Sequence, residues 1–205
     1  MIGEAGATLA GLWSLRRLAH LAILRGLQAP RVAHDLAHAH PRVAADRVRE
    51  MRIPGTRGRS LAGWLVSPSG ATKRPVPAVL VMHGWGANAA MMRPVVPPLH
   101  EAGFAVLLMD ARCYGRSDGE TFTSAPRFAE DIAGGLAWLK RQPDIASDRL
   151  ALPGHSVGAA ASLLYASRHC DVRAVVSLSA FAHPREVMRG FMAEKRVPDP
   201  VVASS

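Results

Sequence analysis

The fold is constrained most by a series of short, nearly unbroken apolar runs separated by stretches of helical periodicity. Residues 78–82 are apolar throughout, as a strand covered on both faces requires. Residues 104–109 and 174–178 have the same character, and 150–152 is a shorter version. Between these runs Phe128, Ile132, Leu136 and Leu139 recur at helical spacing and end at Gln142-Pro143. Residues 157–168 read as a small-residue helix built on Ala159, Ala160, Ala161, Leu163 and Leu164. Upstream, 47–53 and 61–67 read as a pair of strands around Pro54-Gly55. Such alternation predicts an α/β fold, a doubly wound and mainly parallel sheet with helices on both faces. Residues 88–102 carry no expectation of a regular helix, because Pro94, Pro97 and Pro98 would disturb one.

The pattern divides the chain into an N-terminal helical extension and connector (1–46), an α/β core (47–184) and the start of a lid segment (185–205). Residues 5–28 read as a Leu- and Ala-rich helix whose apolar residues are spread around the wheel. It is expected to pack on the domain or on a partner. A weak membrane-surface contact through its arginines is the alternative. Arg16, Arg17, His20 and Arg25 interrupt it too often for a transmembrane span. Glu4 and the absence of a small-residue cleavage site argue against a secretory signal.

With 49% apolar and 20% charged residues the chain has the composition of one globular domain with a sizeable core. The formal charge of +9 would suggest nucleic acid if it were concentrated on the core. It is not. Residues 1–60 hold ten arginines against four acids, whereas 61–205 hold fifteen basic and twelve acidic groups. No basic stripe is interleaved with aromatics, so nucleic acid is excluded as a partner. Cys113 and Cys170 lie far apart and form no disulfide framework, which fits a reducing, cytoplasmic setting, either free or peripheral to a membrane.

The residues that carry chemistry begin with Gly154-His155-Ser156-Val157-Gly158, which directly follows a short apolar strand and opens the Ala-rich helix. A serine in so sharp a turn adopts a strained backbone, and Gly154 and Gly158 leave room for helix and strand to cross. The turn lifts the hydroxyl above the sheet, where helix N-terminal N–H groups face a developing oxyanion. The competing reading is a glycine turn whose serine only caps the helix. A second signal is His83-Gly84-Trp85-Gly86 at the end of strand 78–82. Its glycines let the loop fold over the sheet, with the N–H of Trp85 aimed at the oxyanion that the N–H of Val157 also meets.

These two motifs resemble the α/β-hydrolase superfamily, within it the serine-aminopeptidase and monoacylglycerol-lipase-like branch. The stretch Asp110-Ala111-Arg112-Cys113-Tyr114-Gly115-Arg116-Ser117 is similar to that family's Asp-x-Arg-Gly-x-Gly-x-Ser loop, with Cys113 where glycine is usual. A slightly different loop backbone is therefore expected, with Asp110 and Arg112 holding the loop. The resemblance covers about residues 48–184. It implies Ser156 as nucleophile, Trp85 and Val157 as oxyanion donors, His83, Gly84, Gly86, Gly154 and Gly158 as supports, and no metal or organic cofactor.

A catalytic serine needs a histidine base and a carboxylate to orient it, in the chain order serine, acid, histidine. After Ser156 the acids are Asp171, Glu186, Glu194 and Asp199, and the histidines are His169 and His183. His169 and Asp171 fall at the far end of the helix that follows Ser156. His183 follows strand 174–178 on the catalytic edge, and His155 should pack sideways beside the nucleophile. The acid and base are therefore expected beyond the chain as given, after two further strands, with 174–178 left as an apolar edge.

Weaker signals are treated as structural. His34 and His38 are spaced like a metal-binding pair, but Asp35 replaces the usual glutamate and no third ligand is evident. Trp64 and Trp138 read as packing residues, and Trp85 as a pocket-lining one. Met188, Phe191 and Met192 read as a lid helix or an acyl-binding surface. The expected function is hydrolysis of an ester, or of an amide, in a small acyl substrate through an acyl-enzyme on Ser156. Acyl transfer to another acceptor is a second enzymatic reading. The rival is a non-catalytic α/β-hydrolase fragment or scaffold without the triad acid and histidine.

Overall fold

A computed structural model describes residues 2–26, 28, 31–34, 40–70, 75–181, 183 and 190. Its strands are β1 (Val48–Pro54), β2 (Ser60–Val66), β3 (Val76–Met82), β4 (Ala105–Met109), β5 (Ile145–His155) and β6 (Ala174–Leu178). Its α-helices are α1 (Ile2–Gly26), α2 (Val96–Glu101), α3 (Ala125–Leu139) and α4 (Val157–Ala166). The strands form one sheet in the order β1-β2-β4-β3-β5-β6. β1, β2 and β4 pair antiparallel, and β4, β3, β5 and β6 run parallel.

The core lies on both faces of the sheet because the parallel strands alternate their apolar side chains. Leu80, Met82, Leu107 and Met109 point to the face covered by α3 and α4, where Phe128, Ile132, Leu136 and Leu139 meet them. Val79, Val81, Val106 and Leu108 fill the opposite face with Trp64 and Val96. The stripe on α3 and the packing role of Trp64 thus follow the sequence expectation; Trp138 packs partly buried against the first face.

The proline-rich stretch resolves into a 3-10 helix, Ala89–Val95, that contains Pro94, followed by α2. Pro97 and Pro98 occupy the first turn of α2, where a missing N–H costs nothing. β5 extends well beyond the expected 150–152. Its register against β3 shifts between Val76 and Ala78, and the exposed Ser147, Asp148 and Arg149 fall at that irregularity.

β6 is the sheet's edge among the described residues, the uncovered edge expected of 174–178, and all of it but Val175 is exposed. One expectation is corrected. Helix α1 does not pack on the domain along residues 13–22, where every side chain is exposed. No helix among the described residues is long and apolar enough to cross a membrane. The segment 185–205, Gly190 apart, lies outside the described residues, and Met188, Phe191 and Met192 with it.

Topology locates the site. The chain passes from β3 to β4 on one side, then crosses back to β5 and β6 on the other. The carboxyl ends of β3, β4 and β5 therefore flank a switch point, the place where open α/β sheets bind ligands. Those three ends carry His83, Asp110 and Ser156.

Candidate active site

β5 runs directly into Ser156, and α4 begins at the next residue. Ser156 has φ 53° and ψ −120°, a left-handed conformation that a side chain rarely adopts. Its side chain makes no capping hydrogen bond to α4, which removes the reading of a mere helix cap. The turn is held by its backbone: the Ser156 N–H donates to Leu178 O at 2.8 Å, and its carbonyl accepts from Ala160 at 3.0 Å. The two glycines are required by space. A Cβ on Gly154 would lie 2.6 Å from Gly158 O, and one on Gly158 would lie 2.3 Å from His83 O. Helix and strand cross at backbone contact, as the sequence motif demands.

Beside the turn, His83 ends β3 fully buried. Its Nε2 accepts from the Ala111 N–H at 3.0 Å, so Nδ1 carries the hydrogen, toward Gly84 O at 2.8 Å. Burial holds its pKa below the ordinary histidine value. With both nitrogens committed, His83 fixes the start of the loop and is no proton acceptor for Ser156. Gly84 abuts Ser156: a Cβ there would lie 3.2 Å from Ser156 Cβ and 3.0 Å from His155 Nδ1. His155 thus sits sideways against the loop, as expected. Gly86 has φ +68°, which glycine tolerates. Trp85 between them is 42% exposed, its ring 6.4 Å from that of the buried Tyr114.

The end of β4 braces this loop. Asp110, fully buried, accepts from the Ala89 N–H through Oδ1 and from the Arg116 N–H through Oδ2, each at 2.8 Å. Ser117 Oγ donates to Asp110 O at 2.6 Å and accepts from the Ala62 N–H at 2.8 Å. Arg112 is buried on α3, with Nε and Nη2 donating to Asp131 Oδ1 at 2.9 and 2.6 Å and Nη1 to Glu120 at 3.1 Å. Burial disfavours its charge, yet these acids outweigh that and raise its pKa. Asp110 and Arg112 are loop-holding residues, as the sequence suggests. Cys113, where the family's glycine is usual, has a left-handed backbone, φ 71°. The Glu120 N–H donates to its Sγ at 3.1 Å.

Of the histidines and acids after Ser156, His169, Asp171 and His183 fall where the sequence places them, and Glu186, Glu194 and Asp199 lie outside the described residues. His169 stacks on Tyr165, ring centroids 4.3 Å apart, at the far end of α4. Asp171 accepts from Tyr165 Oη at 2.8 Å and pairs with Lys140 there. His183 follows β6 and is exposed. Sequence reasoning missed one residue: His34 reaches Asp110 from the connector, whereas His38 lies outside the described residues. Its only signal was the dismissed metal-like spacing.

The profile of the family described as serine aminopeptidase, S33, matches residues 73–203. An uncharacterized 31.7 kDa Escherichia coli protein, encoded in the traX-finO intergenic region, is 32% identical over 129 residues, 62% of this chain. The chain covers 44% of that relative's length, so it spans less than half of it. A polyketide transferase of Aspergillus fumigatus is 29% identical over 137 residues, 65% of this chain and 46% of the relative. Among solved structures, an esterase of Pyrococcus furiosus superposes with a TM-score of 0.70 at 22% identity. That match covers 86% of this chain and 65% of the esterase, and it shows the shared fold. The match over 73–203, which holds the Ser156 turn, the His83 loop and the Asp110 loop together, places the chain in the serine aminopeptidase (S33) family, with an α/β-hydrolase fold.

Proposed function

We propose that the chain carries the nucleophile half of a serine hydrolase that cleaves an ester, or an amide, in a small acyl substrate. The observation that carries this reading is the backbone of Ser156, strained at φ 53° between two glycines and not used to cap its helix. Strain of this kind persists where a function needs it. In the proposed reaction Ser156 Oγ attacks the acyl carbonyl and gives up its proton to a histidine base. The oxyanion is met by the N–H groups of Trp85 and Val157. Collapse expels the alcohol or amine with that proton, and water then releases the acid. The reading takes the base and its orienting carboxylate from the rest of the whole protein. The greater length of the relatives supports that assignment. No metal or organic cofactor enters the scheme.

Acyl transfer to an acceptor other than water would use the same serine, and the likeness to a polyketide transferase supports it as a second reading. The non-catalytic alternative draws on His169 and Asp171, which stand at the far end of α4. Intact-mass analysis after fluorophosphonate treatment, with Ser156→Ala as control, separates the readings. Labelling lost in the variant supports an activated Ser156; a folded, unlabelled chain means that these residues alone are inactive and the function belongs to the longer protein, and an unlabelled whole protein supports the scaffold. The proposal also includes a peripheral membrane contact through α1. Its support is that Trp13, Leu15 and Leu18 are more than 60% exposed beside Arg16 and Arg17. Co-sedimentation with anionic phospholipid vesicles tests it, and loss of binding in Arg16→Glu/Arg17→Glu is expected.

A further inference from the structure

We propose that His34 is a positioning residue of the candidate active site, holding the segment beyond the Trp85 loop in place through Asp110. The inference rests on the Ser156 reading above and lies outside residues 73–203, the part that matches the family.

The Trp85 loop hangs between two anchors, both on the end of β4. At its start, the His83 ring bridges Gly84 O to the Ala111 N–H. At its end, the Ala89 N–H donates to Asp110 Oδ1 at 2.8 Å. The second anchor depends on a carboxylate with no exposed surface, and such a group must have its oxygens satisfied by donors. Two come from the backbone of Ala89 and Arg116. The third is His34 Nε2, 2.7 Å from Oδ2, on a side chain only 5% exposed. A carboxylate accepts, so Nε2 carries the hydrogen.

The surroundings fit this contact. The His34 ring lies against Trp64, centroids 5.0 Å apart. Gly115 leaves the needed space: a Cβ there would stand 2.0 Å from Asp110 Oδ2 and 2.6 Å from His34 Nε2. The connector also touches the loop directly, since Asn88 Nδ2 donates to Val32 O at 3.2 Å. Upstream, Gln28 Nε2 donates to Thr121 O at 2.9 Å, on the loop that follows β4. Gln28, Val32 and His34 therefore form a strap over two loops at the catalytic edge. His34 is the point at which the strap meets a buried charge.

The test compares the full chain with His34→Ala and with His34→Gln, whose amide nitrogen can replace Nε2 as donor. Hydrogen exchange is followed by mass spectrometry, and the Ser156 fluorophosphonate labelling rate is read in the whole protein carrying the same substitutions. The expected result is several-fold faster exchange over residues 84–92 in His34→Ala, with β3 and β4 unchanged. His34→Gln should restore the wild-type pattern, and labelling should slow in the alanine variant and recover in the glutamine one. Unchanged exchange over 84–92 in His34→Ala would overturn the proposal. So would a uniform rise that includes β3 and β4, or failure of glutamine to restore protection. A whole protein that exchanges as expected but is not labelled would remove the Ser156 reading alone, leaving His34 as the holder of the loop.

Discussion

The amino end of α4 meets the end of β3 backbone to backbone: a Cβ on Gly158 would stand 2.3 Å from the carbonyl oxygen of His83 and 2.6 Å from that of Met82. One residue that makes no side-chain contact thus fixes the distance between the Ser156 turn and the Trp85 loop. Backbone atoms cannot move aside as the tip of a flexible side chain can. Gly158→Ala is expected to lower stability by about 2–4 kcal/mol, in the range of severe overpacking. Gly154→Ala should behave similarly, with its Cβ 2.6 Å from Gly158 O. Gly86→Ala meets no atom within 4 Å and should cost only about 1 kcal/mol for its left-handed backbone. Urea denaturation of the three variants checks the order.

The strain at Ser156 predicts a trade between stability and reactivity. At φ 53° and ψ −120° glycine is far less strained than serine. Ser156→Gly should therefore be more stable than wild type by about 1 kcal/mol, after allowing for glycine's extra unfolded-state entropy. It should also lose all fluorophosphonate labelling. Ser156→Ala keeps the strain and should match wild type in stability. Equal stability of the glycine and alanine variants would mean that the turn stores no strain.

Cys113 stands at φ 71° and keeps the left-handed turn with a side chain in place. Glycine relieves the backbone but loses the hydrogen bond that the Glu120 N–H donates to Sγ. Cys113→Gly should accordingly stay within about 1 kcal/mol of wild type. Cys113→Val, with a branched Cβ at a positive φ, should cost about 2 kcal/mol or more. Thermal unfolding of both variants decides the point.

Arg112 is fully buried and bound by Asp131, Glu120 and Glu130. Removing it leaves a buried carboxylate without its counter-charge. Arg112→Ala is expected to cost about 3–5 kcal/mol. Arg112→Lys should recover only part of this, because an ammonium cannot reproduce the guanidinium fork on Asp131. A lysine variant as stable as wild type would show that charge alone, not geometry, holds this loop to α3.

His83 predicts a pH dependence of known sign. Burial lowers its folded pKa below the ordinary value of about 6.5, so the unfolded chain binds the proton first as pH falls. Stability from this group is complete above that ordinary value and is lost as pH drops from there through the lowered folded value. The slope in that window is about 1.4 kcal/mol per pH unit. Urea midpoints measured from about pH 7.5 down to about pH 5.5 should fall more steeply for wild type than for His83→Gln. Parallel curves would mean that the folded His83 accepts its proton normally.

The sequence by itself determined the sheet class, the α3 stripe and the Ser156 turn. Each rests on signals that are local in the chain. An apolar run, a helical period, or glycines spaced around a serine restrict the backbone before any distant contact forms. The same locality explains the failures. Exposure of α1 along residues 13–22 is one, because an Ala- and Leu-rich helix carries no mark of what it fails to meet. Polar residues hid the first half of β5, which is a strand because β3 pairs with it across a register shift. The left-handed backbone of Cys113 is likewise visible only in the folded loop, where its N–H donates to Asp118 O and its Sγ accepts from the Glu120 N–H. His34 and Asp110 stand 76 residues apart and meet only when the fold brings His34 to the end of β4. No periodicity or composition encodes such a pair: its attraction exists only once folding has buried the carboxylate and brought the imidazole to it.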